Sequence, residues 1–292
     1  MAISAQAVKE LREKTGAGMM DCKKALEATM GDLEKAFDWL RENGIAKSAK
    51  KADRIAAEGL TTVATDGNKA AIVEVNSETD FVAKNEEFKQ LVKTVAETIV
   101  KSTAKTVDEA LELDVNGTPL KTVIAEKSGK IGEKLSLRRF EIVEKADDEV
   151  FGVYSHMEGK ITALVKIAGA EAEKAKHIAM HVAAQAPAYV DEDGIPADVK
   201  EREEKVAKAE MENDEKIAAK PDQVKAGILK GKLKKVFAEM CLVDQEFIMT
   251  PKETVQKYLG KGKVTSMTRY LVGEGMEKRS ENFAEEVAAQ MK

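Results

Sequence analysis

One pattern constrains this chain more than any other: strand, tight turn, strand, loop, helix, and then the same order again. The first copy runs "GLTTVAT", the turn "DGN" and "KAAIVEVN". A polar stretch, "NSETDFVAK", follows, then a helical run over 86–101 with Phe88, Leu91, Val92, Val95 and Ile99 on one side. The second copy runs "EVFGVYSHM", the turn "EGK", "ITALVKIAG" and a helix over 172–184. The likeness is one of pattern rather than identity, which is how an old internal duplication presents itself. Strands and helices in this order predict an α+β fold, with a pseudo-duplicated core of small antiparallel sheets carrying helices on one face. "EKLSLRRFEIVEK" supplies a further strand. "VTSMTRYLVGEG" before "SENFAEEVAAQMK" reads as a reduced third copy that ends in a C-terminal helix module.

Helices flank this core. Residues 4–44 read as three of them. The first carries Val8 and Leu11, the second runs over 19–29, and the third is started by Asp32 and places Leu33, Ala36, Phe37 and Leu40 at helical spacing, with Asn43-Gly44 as its stop. Between the first two, Gly16 and Gly18 make a tight turn and leave Met19 and Met20 adjacent. Neighbouring helical residues point about 100° apart, so at least one methionine is expected at the surface unless both fill the small core. Exposed methionine suits an adaptable contact surface. An Ala/Lys-rich linker covers 47–57. Residues 198–218 form a charged helix poor in large apolar residues, stopped by Lys220-Pro221-Asp222, and "QVKAGILKGKLKKVFAEM" returns beside it. Together they predict a protruding helical hairpin, either a weak coiled coil or a partner contact. The expected division is therefore 1–46 three-helix domain, 47–57 linker, 58–147 and 148–197 as the two core halves, 198–245 hairpin, and 246–292 completion of the core with the C-terminal module.

Composition narrows the function. A chain of 292 residues is long enough for more than one core. A net charge of −5 and 4% aromatic residues argue against a nucleic-acid binder, which needs clustered cations and stacking platforms. No apolar run approaches the length of a bilayer span, and the first residues lack a signal or transit pattern, so a cytoplasmic location is expected. Cys22 and Cys241 lie far apart and form no CxxC. "GILKGK" is one residue short of a phosphate loop and lacks its Ser/Thr. His177 and His181, four apart, share a helix face but have neither the glutamate of a zinc protease nor a third ligand in view. No nucleophile-base or paired-acid set stands out. The expectation is a protein without covalent chemistry, bound metal or cofactor.

One phenylalanine is hard to account for as core: Phe81 sits among short polar residues after a strand. The residues around it carry a family. "LREKTGAGMMDCKKAL" at 11–26 and "EVNSETDFVAK" at 74–84 resemble the two signature stretches of bacterial translation elongation factor Ts. "KHIAMHVAA" at 176–184, "VGEGMEK" at 272–278 and the overall length are similar to it as well. The resemblance implies a ubiquitin-associated-like (UBA-like) N-terminal domain, a pseudo-twofold core and a coiled-coil protrusion. It also implies a nucleotide-exchange factor for elongation factor Tu, bound in its GDP-bound and nucleotide-free forms as a 1:1 heterodimer. Thr79, Asp80, Phe81 and Val82 would displace Mg²⁺ from the partner, Phe81 by insertion between helices of the GTPase domain. Arg12, Met19 and Met20 would touch that domain, and His177 would face the partner's third domain. The alternative from another class is a UBA-type adaptor without exchange activity, which gives the loop around Phe81 no task.

Overall fold

A computed structural model describes residues 3–277 apart from Gly16 and Lys50, with backbone only at 45–49. Gly16 of the expected tight turn and the expected C-terminal helix lie outside the described residues. The chain divides into two compact units, the first built from 1–144, 157–161 and 270–292, the second from 145–156 and 162–269.

The first unit opens with α1 (Ala5–Thr15), α2 (Met19–Ala28) and α3 (Leu33–Ala49). Their core is small: Leu11, Cys22, Ala25, Leu26 and Ala36, with Val8, Leu33, Trp39 and Leu40 against it. Asp32 caps α3 by accepting from the N–H groups of Glu34 and Lys35, both at 3.1 Å. Asn43-Gly44 does not stop this helix, which continues to Ala49. Gly44 serves another purpose. It lies against Gly129, where an added Cβ would stand 2.7 Å from the Gly44 Cα. Two glycines thus let two helix backbones touch. Phe37, expected in the stripe, is 40% exposed and stays outside the core.

β1 (Glu58–Asp66) and β2 (Lys69–Ser77) then form the expected hairpin, in register from Glu58 opposite Ser77 to Asp66 opposite Lys69. The single turn α4 (Asp80–Ala83) leads to α5 (Glu86–Val100), whose Phe88, Leu91, Val92, Val95 and Ile99 are all buried over the sheet. α6 (Val107–Leu111), the short β3 (Asp114–Val115) and β4 (Thr118–Pro119), and α7 (Leu120–Ile131) bring the chain to β5 (Ser136–Glu144), which pairs antiparallel with β2. The sheet order is β1-β2-β5.

The second unit repeats that order. β6 (Glu149–His156) and β7 (Ile161–Ala168) are followed by α8 (Ala172–Gln185). The charged hairpin follows as α9 (Ala197–Asn213), a single turn α10 (Glu215–Ala218) and α11 (Asp222–Met240). The first of these helices ends before Lys220-Pro221. Asp214 interrupts it by accepting from the N–H groups of Lys216 and Ile217, a local bond that competes with the helical ladder. α12 (Val255–Leu259) precedes β8 (Lys263–Leu271). β8 does not begin a third copy as its sequence suggested: it is the third strand of the sheet β6-β7-β8, in the position β5 occupies in the first sheet. The molecule is α+β, mixed helix with small antiparallel sheets.

Candidate functional site

The stretch around Phe81 is placed by the buried C-terminal end of β2. Residues 70–77 of β2 are all buried, and the chain reaches the surface only at Glu78. Thr79 has extended backbone (φ −125°, ψ 157°) and caps α4, its hydroxyl accepting from the Val82 N–H at 3.4 Å. Two residues apart on a helix means about 200°, so the single turn faces two ways. Ala83 points into the core and is 2% exposed; Phe81 points out and is 80% exposed. Val82 packs on the core from the side. Asn85 then caps α5 by accepting from the Glu87 N–H at 2.7 Å, so the turn is fixed at both ends.

Polar contacts brace the same turn. Glu133, just past α7, accepts at one carboxylate oxygen from the N–H groups of Glu78 and Thr79, each at 3.0 Å. Its other oxygen accepts from the Thr79 hydroxyl at 2.6 Å. Glu78 returns the contact, accepting from the Lys134 N–H at 2.6 Å and from Arg54 at 3.2 Å. On the outer face Lys84 donates to Asp80 at 2.8 Å. That bond holds the Asp80 carboxyl below, and the Lys84 ammonium above, their ordinary ranges. The Lys84 ammonium also stands 6.0 Å from the centre of the Phe81 ring.

The three-helix part of this unit adds to the surface. Met19 and Met20 are 59% and 62% exposed. Met19 lies seven residues before the buried Leu26 and so on the same helix face, but it occupies the first turn of α2, where no neighbour covers it. Arg12 is exposed on α1. Arg12, Met19, Phe81 and Val82 line one open cleft with Asn85, Glu87, Lys130 and Ile131. Met20 is not part of that lining.

His177 belongs to the second unit and is half-buried, its Nδ1 2.7 Å from the Tyr258 hydroxyl. His181 is a core residue, fully buried, with Nε2 2.9 Å from Gln245 and Nδ1 accepting from the Ile248 N–H at 3.3 Å. Burial lowers its affinity for a proton, only partly offset by Gln245. The two histidines therefore divide into a buried residue and a partly accessible one.

Among the described residues no group of three His, Cys, Asp or Glu side chains could hold a metal ion. Both cysteines are buried, and burial pushes the Cys241 thiol up to about 11, which keeps it protonated and unreactive. Among the described residues no helix is long and apolar enough to cross a membrane. What the surface offers is an exposed aromatic ring on a braced turn, with the exposed Met19 of α2 and Arg12 of α1 lining the same cleft.

Glu133 and Glu78 are the residues that sequence reasoning missed. The contacts that join the segments of Glu78 and Glu133 span 54 to 56 positions, and neither a period nor a motif relates them. One comparison with known proteins bears on the whole: the model of a family described as elongation factor TS matches residues 78–274, more than half of the chain, from within the Phe81 loop to the end of the second sheet.

Proposed function

The chain belongs to the elongation factor Ts family, and from that membership we propose that it is a guanine-nucleotide exchange factor for elongation factor Tu, working in the cytoplasm as one copy against one copy of its partner. The observation that carries this reading is the state of Phe81: a large ring, 80% exposed, on a turn whose backbone is held from both sides. An aromatic side chain kept in water by a rigid turn is an anchor awaiting a pocket.

In the proposed mechanism Phe81 enters a gap between helices of the partner's GTPase domain, with Asp80 beside it and Thr79 and Val82 shaping the turn. Arg12, Met19 and Met20 add contacts to the same domain, the flexible methionines adapting to its surface. His177, half-buried beside Tyr258, contacts the partner's third domain. In a GTPase, Mg²⁺ bridges phosphate and protein oxygens. Displacing the helix that holds the metal's shell releases the ion and leaves the phosphate charge poorly neutralised, so GDP departs and GTP can enter. This protein makes and breaks no bond: nucleotide and factor weaken each other's binding, as linkage requires. The reading also takes residues 1–46 as a UBA-like domain joined by the linker 47–57 to the core halves 58–147 and 148–197, α9 and α11 within 198–245 as a coiled coil, and 246–292 as the segment completing the core.

The test is catalytic turnover. Elongation factor Tu loaded with fluorescent GDP is mixed with excess unlabelled GTP and a substoichiometric amount of this protein. Release of all the label at a rate proportional to added factor supports exchange. A stable complex with unchanged release would support the adaptor instead.

A further inference from the structure

The structure assigns to Glu133 a positioning role: it fixes the direction in which Phe81 is presented, and through it the rate of exchange. The inference rests on the exchange reading above and adds a residue to it.

The Phe81 ring has almost no contacts of its own, so its direction is set by the backbone beneath it. That backbone has two N–H groups left over at its start. The ladder between β1 and β2 ends at Ser77, and the first N–H groups of any helix have no partner within it. One oxygen of Glu133 takes the N–H groups of Glu78 and Thr79, and the other takes the Thr79 hydroxyl. Bonds to a charged acceptor are the stronger kind.

The carboxylate is itself immobilised. Gly132, with φ 94°, turns the chain left-handed out of α7, and the Ser128 hydroxyl donates to the Glu133 carbonyl at 2.5 Å. α7 is tied to α5 through Lys130 and Glu87 at 2.6 Å. Glu78 closes the clasp in the other direction by accepting from the Lys134 N–H. Thr79's own cap on Val82, at 3.4 Å, is long, so Glu133 supplies the firmer hold. Glu133 neither lines the open cleft nor needs to meet the partner. A group that holds a contact residue in its working geometry affects the step that residue performs more than the affinity contributed elsewhere.

The experiment measures fluorescent GDP release from elongation factor Tu across factor concentrations, giving a maximal rate and a half-saturation point for wild type, Glu133→Ala and Glu133→Gln. Hydrogen exchange of each factor alone is followed in parallel. Glu133→Ala is expected to lower the maximal rate about tenfold, the scale of one lost charged anchor, while half-saturation moves less than about threefold. Glu133→Gln, whose side-chain carbonyl still accepts from the backbone, should recover part of that rate. Amides of residues 79–83 should exchange faster in Glu133→Ala, with those of β2 and β5 unchanged. An unaltered maximal rate, a loss appearing only as weaker half-saturation, or opening that spreads into β2 and β5 would overturn the assignment. A wild type that speeds no release would contradict the exchange reading itself, and the amide arm would still report whether the clasp exists.

Discussion

Removing the Phe81 ring should cost the fold almost nothing, because most of it already faces water. Phe81→Ala is expected to unfold within about 0.5 kcal/mol of wild type in a thermal or denaturant melt, as exposed substitutions do. A much larger loss would mean that the ring is core after all. Glu74 is the opposite case. It is fully buried in β2, with Arg138 at 2.8 Å, Arg139 at 2.6 Å, Asn76 at 3.1 Å and the Gly273 N–H at 2.8 Å. Burial alone would raise its carboxyl; the Gly273 N–H, Arg138, Asn76 and Arg139 outweigh it and hold the group below the ordinary range. A lowered folded value means that the stabilisation is complete above the ordinary glutamate pKa of about 4.3 and is lost as pH falls through the folded one. Glu74→Gln should therefore cost about 3 kcal/mol near neutrality and flatten the acid limb of the stability curve below that pH. A variant with the wild-type acid limb would contradict this. Phe81 was legible in the sequence, because a ring among short polar residues has nothing local to bury it. Glu133 was not, since a single carboxylate past a helix end says nothing about which backbone it will meet.

The elements divide by whether their instructions are local. α5 carries its whole stripe within fifteen residues and was readable from spacing alone. Both hairpins were announced by their turns. α3 was misread because a glycine after Asn looks like a stop, whereas Gly44 is spent on contact with Gly129 of α7. β8 was misread because a strand followed by a helical sequence looks like the start of a unit, and only pairing shows that it completes one. These glycines give opposite predictions. At Gly227 and Gly231, inside α11, an added Cβ meets nothing within 4 Å. Alanine there should stabilise the hairpin helix by about 0.5–1 kcal/mol per site, measured by helicity and melting of the full chain. At Gly129 the added Cβ meets Gly44 backbone, which cannot yield as a side chain can. Gly129→Ala should loosen α3 against α7 by about 1–3 kcal/mol, seen as faster amide exchange in α3. Equal effects at all three positions would contradict the role given to the close approach.

At the scale of the whole molecule, the chain divides into two compact units that repeat one order of elements. Arg12, Met19 and Phe81, which line one cleft, belong to the first, and His177 belongs to the second. α+β class and the repeated order could be read from pattern; the assembly of a surface from residues 12 to 82 needed tertiary structure. Because exchange is a coupling between two binding events, it must run both ways. GDP with Mg²⁺ should weaken this protein's affinity for elongation factor Tu by the same factor by which this protein weakens GDP, a balance that paired titrations can check. Unequal factors under one set of conditions would mean that a third binding event is missing from the scheme.

The most direct test of the central claim is stopped-flow release of fluorescent GDP from elongation factor Tu by saturating wild type and saturating Phe81→Ala. Large acceleration by the wild type that mostly disappears in the variant, with the variant still folded and still bound, is the predicted result. Full acceleration by Phe81→Ala would contradict it and move the mechanism to other contacts.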